Sequence, residues 1–271
     1  MAFLNQRHVL DKVLKKMKIQ SLVPALIVAV CAFAAPLYGE SLHCFELRTY
    51  TANDGKLDAL HSRFRDHTMK IFERHGMTNI GYWVPQDNSE NQLIYLLGYP
   101  SRNARDEAWK GFRADEEWQA AYKASTADGR LVKKVENVFL HLTDFSPEIK
   151  IGRQATDRAF ELRTYTASEG NLGHLNARFR EFTVDLFEKH GMTNFAYFNL
   201  LPGQDGEDNT LVYLLAHESK PAARAAFGRF GKDPEWRAAR KQSEERAGGG
   251  LTARGGVKSV FLNPTDYSQT N

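Results

Sequence analysis

The stretch Phe45-Glu46-Leu47-Arg48-Thr49-Tyr50-Thr51-Ala52 decides the fold, because the same letters, FELRTYTA, return unchanged at Phe160 to Ala167. Subtracting 45 from 160 gives a register of 115, and that register runs on through Gly55 with Gly170, Leu60 with Leu175, and Arg63-Phe64-Arg65 with Arg178-Phe179-Arg180. It carries Phe72-Glu73-Arg74-His75-Gly76-Met77-Thr78-Asn79 onto Phe187-Glu188-Lys189-His190-Gly191-Met192-Thr193-Asn194. A longer loop in the second copy then moves the register to 118, where Trp118 meets Trp236, and by Val138 and Val260 it is 122. Insertions that fall between periodic segments and spare their interiors are what loops tolerate. The chain is a tandem duplication of a unit too long for a solenoid repeat and of the size of a small domain.

Within each copy the order reads strand, helix, strand, strand, helix, strand. Phe45 and Leu47 alternate with Glu46 and Arg48, the mark of a strand with two different faces. Leu57, Leu60, Phe64, Thr68, Ile71 and His75 recur at three and four, so a helix follows, with Asp54 placed to cap it and Gly76 to stop it. Ile80 to Val84 and Leu93 to Gly98 read as two strands across the turn-rich QDNSEN. Ser101 to about Ser125 reads as a helix broken near Ala114, and Val135 to Leu142 as a closing strand. That order is the split βαβ, ferredoxin-like α+β arrangement, four antiparallel strands with helices on one face. The other face of each sheet is then bare, and both copies put large side chains on both sides of their strands.

The stretch 147–157, with a Pro, a Gly and several charges, reads as a linker between a first domain at 43–146 and a second at 158–268. Tethering holds two such domains at an effective concentration near millimolar. The expected architecture is therefore two tandem ferredoxin-like domains packed sheet to sheet, an intramolecular pseudo-twofold barrel, with further homo-oligomers open.

Residues 1–39 hold Arg7, Lys12, Lys15, Lys16 and Lys18 against Asp11 alone, and Lys15 to Lys18 precede an apolar run from Leu22 to Ala35 ending near Ala32-Phe33-Ala34. This is the order of a secretory signal peptide, with Met17 an alternative start. About 14 apolar residues fall short of the roughly 20 of a bilayer span. A secreted or periplasmic protein is expected, an uncleaved anchor being the rival reading, with no other membrane attachment. Without the leader, Cys44 stands alone, facing Ala159 of the other copy, so no intrachain disulfide is expected. The formal charge of +3 rests on the leader: removing its five basic groups and one acid from 36 and 33 leaves 31 and 32. That body carries no electrostatic footprint for nucleic acid.

The F-E-L-R-T-Y opening, the helix ending in Glu73-Arg74-His75-Gly76 and Glu188-Lys189-His190-Gly191, the aromatic strand Gly81-Tyr82-Trp83 and the later Trp118 resemble the NIPSNAP family, of the dimeric α/β barrel superfamily. The resemblance implies the barrel and covers both copies. It implies little about activity: family members include mitochondrial interaction and mitophagy adaptors and bacterial proteins without an assigned reaction. Superfamily relatives include cofactor-free monooxygenases, haem-degrading enzymes and small isomerases, with a ligand pocket between sheet and helices.

Candidate ligand-binding residues follow from the repeat. His75 and His190, kept in both copies, fit either a general base or haem ligand, or a cap on helix carbonyls. Arg48 and Arg163, each beside Tyr50 or Tyr165, suit an anionic or carbonyl-bearing ligand, or an internal pair with Glu46 or Glu161. Tyr82 and Trp83, with Tyr197 and Phe198, make either an aromatic wall around a flat ligand or core. His61 and His67 become Asn176 and Phe182, and no H-E-x-x-H or C-x-x-C occurs, so neither metal nor cofactor is expected. The expected function is binding of a small molecule or protein partner without established catalysis. The alternative is a cofactor-free monooxygenase or isomerase, which would need a pocket opening onto one of these His and Arg side chains together.

Overall fold

The structure is a computed structural model, and residues 41–271 are described; the leader expected at 1–39 lies outside them. In the first half β1 (Cys44–Ala52) leads into α1 (Leu57–Arg63), a π-helical turn (Phe64–Thr68) and α2 (Met69–Arg74), which form one continuous rod. Then come β2 (Thr78–Pro85), β3 (Gln92–Tyr99), α3 (Arg102–Ala114), α4 (Glu116–Ser125) and β4 (Val132–Leu142). The second half repeats this as β5 (Ala159–Ala167), α5 (Leu172–Arg178), a π turn (Phe179–Thr183), α6 (Val184–Lys189), β6 (Thr193–Leu200), β7 (Thr210–His217), α7 (Lys220–Phe230), α8 (Pro234–Arg246) and β8 (Thr252–Pro264).

The eight strands close into one antiparallel barrel in the order β1-β3-β2-β8-β5-β7-β6-β4. Two seams join the halves: Trp83 to Pro85 against Leu262 to Pro264, and Leu140 to Leu142 against Phe198 to Leu200. Closure removes the sheet edges that would otherwise invite pairing with other chains. The strand alternation sorts the side chains. Phe45, Leu47, Ile80, Trp83, Ile94 and Leu96 meet Phe160, Phe198, Val212 and Leu214 inside the barrel. Tyr82, Tyr95 and Leu97 point outward under the first pair of helices, and Tyr197, Tyr213 and Leu215 under the second. A Cβ on Gly81 would lie 2.3 Å from the Trp83 indole, so the glycine leaves room for the ring. The second half solves the same packing with Ala196 and the smaller Phe198.

Local signals act as anticipated at most element ends. Gly76 (φ +77°) and Gly191 (φ +83°) stop the rods in the left-handed region. The break near Ala114 is a capped joint: the Asp115 side chain accepts from the Trp118 amide and starts α4. Two features depart from the sequence reading. Asp54 caps nothing; α1 begins after Lys56, which makes no side-chain cap bond. The rod is also interrupted, since the Thr68 hydroxyl donates to the Arg63 carbonyl at 3.0 Å, and Thr183 to Arg178 at 3.1 Å. A hydroxyl serving the carbonyl five residues back holds the wider π turn in both copies.

The chain beyond each last strand crosses to the opposite half. Thr143 N–H donates to the Tyr197 carbonyl and Thr265 N–H to that of Tyr82. The Ser146 and Ser268 hydroxyls accept from the Tyr197 and Tyr82 amides at 3.0 and 2.9 Å. Tyr267 thereby packs on the first half's core and Phe145 on the second's.

Candidate functional site

Glu46 is fully buried and ringed by donors under the helices: Arg48 Nη1 at 2.5 Å, Arg105 Nη2 at 2.7 Å and Nε at 2.9 Å, Trp109 Nε1 at 3.0 Å and the Tyr99 hydroxyl at 3.2 Å. Burial alone would raise its carboxyl, but the Arg105 hydrogen bonds and the Arg48 charge outweigh it and hold the pKa below the ordinary carboxylate value. The second half builds a lighter version. Arg163 Nη1 reaches Glu161 at 2.5 Å, His217 stands where Tyr99 does, at 3.2 Å, and Ser259 adds its hydroxyl. Arg48 and Arg163 therefore sit in internal ion pairs, and each also donates to its tyrosine, Tyr50 at 3.2 Å or Tyr165 at 3.0 Å.

The histidines join elements too. His75 Nε2 meets Asp115 Oδ2 at 2.9 Å and His190 Nε2 meets Asp233 Oδ2 at 2.7 Å. In each case the rod's last turn is tied to the aspartate that caps α4 or α8. The Asp115 carboxyl is held below its usual range, burial being outweighed by His75, the Trp118 amide and Arg74. The aromatic residues divide between layers: Trp83 and Phe198 lie inside the barrel, Tyr82 and Tyr197 under the helices, all but inaccessible.

Two surface cavities flank the β2–β8 seam: one of about 350 Å³ lined by Asp58, His61, Arg65 and Asp266, and one of about 390 Å³ lined by Gln86, Arg158, Lys220 and Asn263. None of the candidate ligand-binding residues named from the sequence lines either; His61, set aside there as a metal ligand, lines the first. Among the described residues no cluster of His, Cys, Asp or Glu converges as a metal site, and no helix is long and apolar enough to cross a membrane.

One residue escaped the sequence reading. Arg63, on the face of α1 turned to the sheet, is 5% exposed and makes no ion pair among the described residues. Its guanidinium lies over Trp118 and Tyr122 at 5.2 and 5.4 Å from the ring centroids, and Nη1 donates to the Ser125 hydroxyl at 3.2 Å. Its Nε has no hydrogen-bond partner among the described residues, nor do Arg48 Nε and the Tyr95 hydroxyl. Burial pulls the Arg63 pKa down, the more so with no carboxylate to oppose it. The Tyr50 ring, edge-on to Tyr95 at 5.2 Å, stands within this group and receives the Arg48 bond. The available sequence signal was the return of Arg63 as Arg178 at an apolar helix position.

The NIPSNAP family model matches twice, over residues 45–147 and 160–269. The chain belongs to the NIPSNAP family. The two NIPSNAP matches correspond to the two halves of the barrel. A NipSnap homolog of Dictyostelium discoideum is 25% identical over 177 residues, 65% of this chain and 70% of that protein. Among solved structures, a candidate monooxygenase of Lactobacillus acidophilus superposes with a TM-score of 0.51 at 11% identity, covering 83% of this chain and 94% of that one. An anthrone oxidase-like protein superposes at 0.52 with 16% identity, covering 83% and 92%. At these identities the likeness is one of fold, and the expected dimeric α/β barrel is realised here by a single NIPSNAP chain.

Proposed function

We propose that this protein is an exported NIPSNAP-family protein that binds a small ligand between the sheet and the helices of its first half, without chemistry. The observation that carries this reading is Arg63, a buried cation with no carboxylate beside it among the described residues. Removing a charge from water without a counter-ion costs several kcal/mol. Two further buried polar atoms, Arg48 Nε and the Tyr95 hydroxyl, have no hydrogen-bond partner among the described residues and lie beside Tyr50. Such a group is worth its cost where something else completes it.

The alternative of a cofactor-free oxygenase or isomerase is favoured by the monooxygenase-like superposition, a likeness of fold alone. The polar groups it would use are otherwise engaged: Arg48 and Arg163 by glutamates, His75 and His190 by helix-capping aspartates. Export rests on the basic and apolar leader pattern of residues 1–39.

A thermal-shift screen of small organic anions and neutral aromatics on the purified protein, run beside Arg63→Gln, tests the binding reading. Stabilisation of the wild type by anions, absent in the variant, is expected; equal shifts in both proteins would place the ligand elsewhere. Fractionation with amino-terminal sequencing of the mature chain tests export.

A further inference from the structure

The two halves differ at the one place where the buried arginine needs a counter-charge. In the second half Arg178, the counterpart of Arg63, is 7% exposed, lies over Trp236 at 5.2 Å and has Glu244 Oε1 as a counter-charge at 3.8 Å, beyond hydrogen-bond reach, so that its Nε, like that of Arg63, has no hydrogen-bond partner among the described residues. The register of 118 that joins Trp118 to Trp236 also joins Ser125 to Ser243, so the position of Glu244 is held in the first half by Thr126. Thr126 turns its hydroxyl back to the Tyr122 carbonyl at 2.7 Å and offers Arg63 no charge.

One neighbouring pair of polar atoms also differs between the halves. Arg163 Nε donates to the Tyr213 hydroxyl at 2.9 Å, so both are satisfied in the second half. Their counterparts Arg48 Nε and the Tyr95 hydroxyl are buried in the first without a partner among the described residues. The mouths differ as well: Tyr122, 45% exposed, stands over Arg63 where Arg240, bonded to Glu244 at 2.9 Å, stands in the second half.

We propose that Glu244 is a built-in occupant of the second half's site, and that the first half takes the same group from outside: a small carboxylate, one per chain, bound by Arg63. A planar guanidinium pairs with a carboxylate through two parallel N–H donors, and the free Nε supplies one of them. The rings of Trp118 and Tyr122 over it favour a carboxylate carried on an aromatic body. Entry requires Tyr122 to swing aside, which its exposed ring can do. The inference rests on the ligand-binding reading above and adds the ligand's class and its stoichiometry.

Calorimetric titration of the full chain with sodium benzoate, with acetate as the non-aromatic comparison, tests it. One benzoate per chain is expected. Binding should be at least about tenfold weaker in Arg63→Gln, as loss of a charge-assisted bond implies, and unchanged in Arg178→Gln. Thr126→Glu, which recreates the second half's arrangement, should close the first site, and Glu244→Gln should open a second. Two equal sites in the wild type, or one site lost with Arg178→Gln, would overturn the asymmetry while leaving a ligand-binding protein. No binding of either anion to the wild type or to Glu244→Gln would overturn the ligand reading as well. Circular dichroism of each variant separates these outcomes from misfolding.

Discussion

Arg65 and Asp266, 201 positions apart, meet in a two-pronged pair with both N–O distances at 2.9 Å. The pseudo-twofold mate of that pair is Arg180 with Asp144, at 2.7 and 2.6 Å. Each joins the helical rod of one half to the arm of the other, so the halves are clasped at two equivalent places beyond the barrel seams.

The clasp's charges are exposed and its aromatics are not, and their contributions to stability differ accordingly. Asp266→Ala should cost less than about 1 kcal/mol, as exposed pairs do. Tyr267→Ala, which empties a place against Tyr82 and removes the hydroxyl bonded to His61 at 2.7 Å, should cost about 3 kcal/mol. Urea unfolding of the two variants ranks them, and the reverse order would mean that the arm is held by charge.

Expressed alone, the first half bares Phe45, Leu47, Ile80, Trp83, Ile94 and Leu96, which the second half covers in the intact chain. Light scattering of that fragment should give a dimer, since two copies rebuild a barrel through the same seams; a monodisperse folded monomer would contradict the packing.

Acid should unlock the Glu46 cluster. With its folded pKa below the ordinary value of about 4.3, Glu46 contributes stability that is complete above the unfolded pKa and is lost as pH falls through the folded one. Glu161 is depressed in the same way: burial is outweighed by the His217 bond, then Arg163 and Ser259. Unfolding free energy should therefore fall below about pH 4.5. Glu46→Gln should lower it at neutral pH by about 3–5 kcal/mol, the cost of breaking a buried pair, and flatten the acid limb. An acid limb of unchanged slope would assign the transition to other carboxylates.

His75→Ala removes a tie between rod and cap, so a loss of about 1–2 kcal/mol is expected, with carboxylate binding unaltered. Loss of binding without loss of stability would return the histidine to the site.

The strand order, the helix break and the sheet-to-sheet pairing were legible because they follow from the repeat and from the period-two patterning of β1 and its copy β5. The crossing arms were not, because Thr143 to Ser146 and Thr265 to Ser268 carry no local signal of which half they will bond. The π turns were missed for a related reason: Thr68 fits helical spacing as a small buried residue, and only the carbonyl it serves distinguishes it. Arg48 and Glu46 share a strand face, so their pairing was open from the outset. Arg63 read as part of a packing helix, since a missing counter-ion shows only when the neighbours from α4 are in place.

The most direct test of the central claim, that Arg63 is kept buried for a ligand and not for the fold, is the unfolding free energy of ligand-free Arg63→Met. Replacing a buried uncompensated charge by an apolar chain of similar length should leave stability unchanged or raise it by about 1–3 kcal/mol, and abolish benzoate binding. A variant destabilised by more than about 1 kcal/mol that still bound benzoate with wild-type affinity would show that Arg63 serves the fold, against the outcome expected of an unpaired buried ion.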